Sequence, residues 1–328
     1  MVSIFITSYN DFHYLNKVLG DLDRQDFGNF EILVLEAGLN QEQEARQALK
    51  KRAPALKYFH QPGASRTYSL NQLIKHASGD LLIRIDARTH IKPDYVRKIA
   101  ELSEKTGAAN VGGIMWPVGE SEDQCVIAEL MRSPWVFGGG RFRRPGFKGE
   151  AETVYLGAFR KKDIPVSEWY DEKHSKISED SDLNYRLRKL GKNVLIDSSI
   201  VAYHYPRENL TKFFTLCLNY GIGRGLFVIK HKSLLASRQL LFVAGALSFA
   251  CLMVAGILSP SFLGAAVILG IIYVGIVFIL GLRQKTSLKY KLKFILGVMG
   301  AHLCWLSGLF LSPIQYWRDV RIRKITPT

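Results

Sequence analysis

The chain has 328 residues, 48% of them hydrophobic and 22% charged, which excludes a mainly disordered or low-complexity protein. Its net charge of +15 is unevenly placed: residues 1–206 hold 29 Lys and Arg against 27 Asp and Glu, and residues 207–328 hold 15 against 2. The basic excess lies among long uncharged runs, as beside a cytoplasmic membrane surface, and a nucleic-acid-binding stripe is excluded. Cys125, Cys217, Cys251 and Cys304 form no C-x-x-C pair, so neither a disulfide framework nor a zinc knuckle is expected.

The opening stretch MVSIFITSYN lacks a basic leader and reads as a buried strand over residues 3–8, so the N-terminal part is expected to stay in the cytoplasm. Helix is expected over 11–22, strand over 30–35, helix over 41–52, strand over 57–60, helix over 68–76 and strand over 81–85. Pro93 is placed to open a helix over 94–106, and 109–113 is a further strand. Such alternation with continuous apolar strands predicts an α/β, mostly parallel sheet with helices on both faces. Its ligands belong beyond the carboxyl ends of the strands, at Tyr9, Glu36 and Asp86. Residues 116–152 read as irregular, with an arginine-rich loop from Arg132 to Arg144 as a lid. Strand is expected over 153–159, helix over 179–190 behind Ser178, and two short strands over 194–196 and 200–205.

Residues 1–206 are thus one cytoplasmic domain. Residues 207–239 read as interfacial amphipathic helices. Residues 240–258 and 262–282 are free of charge and long enough to span a bilayer. The five basic residues between Arg283 and Lys293 put that side in the cytoplasm. A third run, 294–311, is either a further span or a re-entrant helix.

The ordered segments SIFITSYND, FEILVLEAG and SLNQLIKHASGDLLIRIDA, followed by TVYLGAFRK and SEDSDLNYRLRKLG, resemble family 2 glycosyltransferases with the GT-A fold. With AANVGG and GGGRFR they are similar to the succinoglycan-type exopolysaccharide glucosyltransferases. The resemblance covers about residues 2 to 206. It implies a membrane-anchored inverting enzyme that moves one sugar from a nucleotide sugar, UDP-hexose and in this subgroup UDP-glucose, to a polyprenyl-diphosphate-linked glycan. Thr7, Tyr9 and Glu36 would line the nucleoside. Asp86 would hold a divalent metal, Mg²⁺ or Mn²⁺, on the diphosphate. Asp180 would be the general base, supported by Glu179. It implies a multi-pass protein of the inner membrane, alone or in a polysaccharide assembly complex.

Three departures stand out. The metal motif reads Asp86-Ala87-Arg88, so its second acid is a guanidinium that cannot ligate a metal. Arg88 is expected to hold a diphosphate oxygen directly, and a metal to lean on Asp86 alone or to recruit His90 or His204. The nucleotide motif keeps Glu36 but ends in Leu39. The Q-x-x-R-W motif of processive synthases is absent, and Tyr220-Gly221-Ile222-Gly223-Arg224 stands nearest to it, with Arg224 either at a pyrophosphate or a basic residue at the membrane face. Trp169 and Tyr170 are candidates to stack on acceptor sugars. The competing readings are a non-catalytic sugar-nucleotide-binding scaffold and, more remotely, a transporter subunit.

Overall fold

The computed structural model describes residues 1–39, 49, 56–165, 169–172, 177–284 and 286–325. Apart from Leu49, the helix expected over 41–52 lies outside the described residues. In chain order the elements begin with β1 (Val2–Ser8), α1 (Phe12–Leu22), β2 (Phe30–Glu36), β3 (Leu56–His60), α2 (Arg66–His76), β4 (Leu81–Asp86) and β5 (Thr89–Ile91). There follow α3 (Tyr95–Thr106), β6 (Asn110–Pro117), α4 (Glu122–Arg132), α5 (Pro134–Phe137), β7 (Lys148–Glu150), β8 (Tyr155–Arg160), α6 (Glu179–Lys189) and β9 (Val194–His204). Four long helices close the chain: α7 (Leu210–His231), α8 (Ser237–Ala255), α9 (Pro260–Leu282) and α10 (Leu288–Ile325).

These elements form two units, Met1–Val118 with Gly139–Pro206, and Gly119–Gly138 with Arg207–Thr328. The 119–138 segment therefore leaves the expected 1–206 domain. It is not irregular either. Ser121 caps α4 by accepting from the Gln124 amide at 3.2 Å, and Glu122 and Asp123 favour its positive end. Val126, Ile127, Leu130 and Met131 bury its apolar side. The glycines and arginines that follow hid this helix in the sequence.

The first unit is built on one mixed sheet of order β3-β2-β1-β4-β8-β6-β9-β5, with β7 on β9. The strands β3, β2, β1 and β4 run parallel, as the apolar runs predict. The sheet is mixed: β8 enters antiparallel between β4 and β6, and β6 and β9 run parallel again. The two short strands expected near 194–205 are one strand, paired with β6 on either side of a register shift and with β7 over 195–197.

Alternation in β1 explains the two covered faces. Ile4 and Ile6 point to α1 and α3, meeting Leu15, Val18, Leu19, Val96 and Ile99. Phe5 points the other way, to Leu70, Leu73 and Ile74 of α2 and Leu183 and Leu187 of α6. Phe5 is fully buried, so Phe5→Ala is expected to cost about 3–5 kcal/mol. Denaturant unfolding of the full chain in detergent checks this; a loss under 1 kcal/mol would mean that α2 and α6 close the gap.

In the second unit three helices are long and apolar enough to cross a bilayer: Ser237–Ala255, Pro260–Leu282 and Leu288–Arg318. The third run, expected over 294–311 and left open as re-entrant, lies inside a continuous helix. Small residues let α7 and α10 cross closely. A Cβ on Gly221 would strike the Trp305 carbonyl, one on Gly308 the Leu218 carbonyl, and one on Gly225 the Ser312 side chain. The Y-G-I-G-R-G stretch is thus, in part, a helix-crossing surface. Lys293 at the start of α10 pairs with Glu122, at 2.7 Å, and with Asp123 of α4.

Candidate active site

The carboxyl edge of the parallel strands gathers the acids. Register pairs Thr7 with Asp86 and Ser8 with Glu36. Glu36 is buried. One of its oxygens accepts from the Asn10 amide at 2.9 Å and the Gly38 amide at 2.7 Å, tying the end of β1 to the end of β2. Asn10 takes a left-handed conformation (φ 55°) to do so. Gly38 has no side chain because a Cβ there would collide with the Asn10 amide oxygen. The second Glu36 oxygen is buried with no hydrogen-bond partner among the described residues. Tyr9 is exposed beside it, and Thr7 is half-buried.

Strand alternation sends Leu82, Arg84 and Asp86 to the face covered by α2 and α6. Arg66 opens α2 and Glu179 opens α6 at that same edge. The result is a closed charge network. Arg66 bridges Asp86 at 2.7 Å and Glu179 at 2.9 Å. Arg84 bridges the same two acids at 3.1 and 3.0 Å. Arg84 is buried, its side chain 7% exposed, whereas the Arg66 side chain is 43% exposed. Burial would raise the Asp86 pKa, but the two guanidiniums outweigh it and hold the carboxyl far below the usual range.

Asp180 behaves in the opposite way. Burial and the adjacent Glu179 charge raise its pKa above the usual carboxylate value, against the pull of Arg84 and the Ser181 amide, which donates to it at 2.7 Å. The residue before α6, Ser178, sits at φ 68°, a conformation a non-glycine residue holds at a cost of about 1–3 kcal/mol, often where geometry serves a site.

Arg66 and Arg84 stand outside the set of residues expected from the sequence. Both had a signal: Arg84 stands two residues before Asp86 on a strand, hence on its face, and Arg66 stands at the first position of the helix after β3. Arg88, expected at the diphosphate, has other partners. It is buried and donates to Asp11 at 2.8 Å, to the Tyr205 carbonyl at 3.1 Å and to the Pro206 carbonyl at 2.6 Å, with its guanidinium 4.2 Å from the Tyr14 ring centre. It joins the exit of β4 to the start of α1 and the exit of β9. Trp169 and Tyr170, expected to stack on acceptor sugars, are buried edge-on against Phe159. Arg132 closes α4 on Glu129 at 2.6 Å, and Arg141 donates to the Glu150 carbonyl at 2.5 Å. Arg224 belongs to the second unit, with its guanidinium over the Phe227 ring.

His90 bonds Asp21 at 2.7 Å, and His204 bonds the Tyr155 hydroxyl at 3.0 Å. No three His, Cys, Asp or Glu are grouped for a cation among the described residues. Among the described residues a cation at the metal motif would therefore meet one carboxylate, Asp86, whose two oxygens are bonded to Arg66 and Arg84, and not a cage. That donor set fits an ion that takes its remaining ligands from phosphate oxygens and water.

A mixed α/β sheet that gathers Glu36 and Asp86 at its carboxyl edge, facing a helix-start acid, is the frame of a GT-A glycosyltransferase. Residues 3–164 match the model of Glycosyl transferase family 2, and the chain belongs to that family: it is a glycosyltransferase. A dolichyl N-acetyl-alpha-D-glucosaminyl phosphate 3-beta-D-2,3-diacetamido-2,3-dideoxy-beta-D-glucuronosyltransferase of Methanococcus voltae is 27% identical over 241 residues, 70% of this chain and 74% of that protein. The succinoglycan biosynthesis protein ExoA of Rhizobium meliloti (strain 1021) is 28% identical over 229 residues, 69% of each. Among solved structures, the Pyrobaculum calidifontis mannosyltransferase PcManGT in complex with GDP-Man and Mn²⁺ is similar at TM-score 0.54 and 14% identity, over 93% of this chain and 86% of that one. S. aureus TarS 1–349 with UDP-GlcNAc is similar at TM-score 0.51 and 14% identity, over 97% and 91%. These two similarities concern the fold.

Proposed function

We propose that this glycosyltransferase moves a single sugar from a UDP-hexose, within its subgroup UDP-glucose, to a polyprenyl-diphosphate-linked glycan at the cytoplasmic face of the inner membrane, in surface or extracellular polysaccharide synthesis. The observation that carries the reading is the pair of opposite environments at one edge: Asp86 kept ionised by Arg66 and Arg84, and Asp180 with a raised pKa beside them. Two carboxylates with pKa values pushed apart define a charge-holding acid and a base. The dolichyl phosphate relative supports a lipid-borne acceptor, and the succinoglycan relative supports a role in polysaccharide synthesis. The basic stretch Arg283–Lys293, at the end where the α8–α9 hairpin returns, supports a cytoplasmic placement of that end.

In this reading the unpartnered Glu36 oxygen accepts from a nucleobase or ribose donor, with Thr7 and Tyr9 beside it. Arg66, the more exposed of the two guanidiniums, turns to the donor diphosphate. Arg88 keeps the strand exits in place. Asp180 accepts the proton of the acceptor hydroxyl as its oxygen bonds the anomeric carbon from the face opposite the diphosphate. The glycosidic C–O bond to phosphate breaks, UDP leaves, and the anomeric configuration inverts. A divalent cation, Mg²⁺ or Mn²⁺, held by Asp86 and the diphosphate would supply Lewis-acid neutralisation of the leaving group.

The test is the thermal stability of the full chain in detergent with UDP, with and without Mn²⁺, beside Asp86→Ala. At 100 times Kd, UDP is expected to add about 2.7 kcal/mol, and to lose most of it without Mn²⁺ or in Asp86→Ala. Stabilisation by GDP alone would replace the donor assignment. No stabilisation by any nucleotide would favour the non-catalytic scaffold.

A further inference from the structure

The second unit contains a cavity of about 650 Å³ walled by α5, α7, α8, α9 and α10. Trp135, Phe137, Phe242 and Trp305 supply much of its apolar wall. Size and lining match a small-molecule site, in which a few placed polar groups sit in apolar walls.

Two of those polar groups brace the cavity. His302 Nε2 lies 2.8 Å from the Trp135 carbonyl oxygen, and Nδ1 lies 3.0 Å from the Tyr273 hydroxyl. A carbonyl only accepts, so Nε2 carries the hydrogen, and Nδ1 accepts from Tyr273. The neutral imidazole is thus saturated on both sides and links α5, α9 and α10. The space is preformed rather than waiting for a partner to order it.

The third polar group is Arg238, in the first turn of α8. Its guanidinium lies against Gly138, where a Cβ would meet Cζ at 2.5 Å and Nε at 2.6 Å, and Gly138 also sits at φ 59°. A larger residue at 138 would push the guanidinium away. Arg238 has no ion-pair or hydrogen-bond partner among the described residues. A permanently charged fork without a counterion, at the rim of an apolar cavity, complements a phosphate.

Depth agrees with this. The α8 wall is residues 238–242 and the α9 wall 273–280, so both come from the end of the hairpin that bears the basic Arg283–Lys293 stretch. That is the level at which lipid phosphates lie. We propose that this cavity binds the first part of a polyprenyl chain, with the lipid's phosphate on Arg238. The occupant's identity as the acceptor carrier rests on the reading under Proposed function; the cavity's chemistry does not.

The experiment uses the full chain in detergent and a benzophenone-bearing polyprenyl phosphate as photoprobe, with the matching uncharged polyprenol as control. Crosslinks are expected on peptides of α8 and α10. Arg238→Gln, at an exposed position, is expected to weaken the phosphate probe about 10-fold or more and the polyprenol little. Val277→Phe, which fills the wall, is expected to weaken both. UDP stabilisation is measured on each variant and is expected to hold. Equal probe affinity in wild type and both variants overturns the cavity assignment, as does equally strong competition by phosphatidylglycerol or by inorganic phosphate. Probe binding with UDP binding absent from wild type leaves the cavity standing and overturns the donor reading instead.

Discussion

Asp180→Asn is expected to lower kcat by about 10²–10⁴-fold while leaving UDP stabilisation intact. The amide is nearly isosteric and keeps an acceptor for the Ser181 amide, but it cannot take a proton, and general-base catalysis is worth about that factor. In the proposed reading donor binding falls to other groups, Glu36, Asp86 and Arg66, so Kd for UDP measured by thermal shift is expected to change less than 3-fold. The assay is UDP release with a lipid-linked acceptor extract. A variant within 5-fold of wild type would remove Asp180 from the base role and return it to a helix-start charge.

The raised Asp180 pKa sets the direction of the pH dependence. The base works only when deprotonated, so kcat is expected to fall as pH drops through its pKa, and that midpoint lies above the ordinary carboxylate value of 3.8. Asp86 titrates far lower and stays ionised throughout that window. Because Glu179 is among the causes of the raised pKa, Glu179→Gln is expected to move the acid limb to lower pH. A limb that stays in place in Glu179→Gln would show that burial alone sets it.

Much of this arrangement was legible in the residues. The apolar runs of β1, β2 and β4 announce buried parallel strands, and once those are placed, Glu36 and Asp86 must fall at one edge. Two of the three helices long and apolar enough to cross a bilayer were legible from length and charge alone, and the third, left open as a further span or a re-entrant run, was not. What was not legible came from long-range pairing. Nothing local to residues 155–160 says that they enter antiparallel between β4 and β6, because an antiparallel strand and a parallel one buried on both faces read alike. Arg88 was misread for a related reason. Its position two residues after Asp86 suggested a phosphate contact, but β4 ends at Asp86, and residue 88 lies in the turn to β5 and reaches back to Asp11 and the exit of β9. The residue two before Asp86 shares its face, so the cation that matters most to Asp86 within β4 is Arg84.

Arg84→Met is expected to destabilise the fold by about 3–5 kcal/mol, the cost of leaving buried carboxylates without a partner. Arg84 is the buried bridge between the end of β4 and the start of α6, so its loss bears on both strand and helix. Adding Glu179→Gln is expected to restore part of the loss, since one of the two stranded charges is then neutral, with a coupling of about 0.5–3 kcal/mol. Arg66 touches the same two acids but stands 43% exposed, and exposed pairs contribute about 1 kcal/mol or less. Arg66→Met is therefore expected to leave stability within about 1 kcal/mol and to weaken UDP about 10–100-fold, the worth of a charge-assisted hydrogen bond. Denaturant unfolding and UDP thermal shifts on the four variants separate the two roles. Strict additivity of Arg84→Met and Glu179→Gln would sink the bridge. Equal losses of stability in Arg66→Met and Arg84→Met would mean that both arginines serve the fold and neither is spared for the diphosphate.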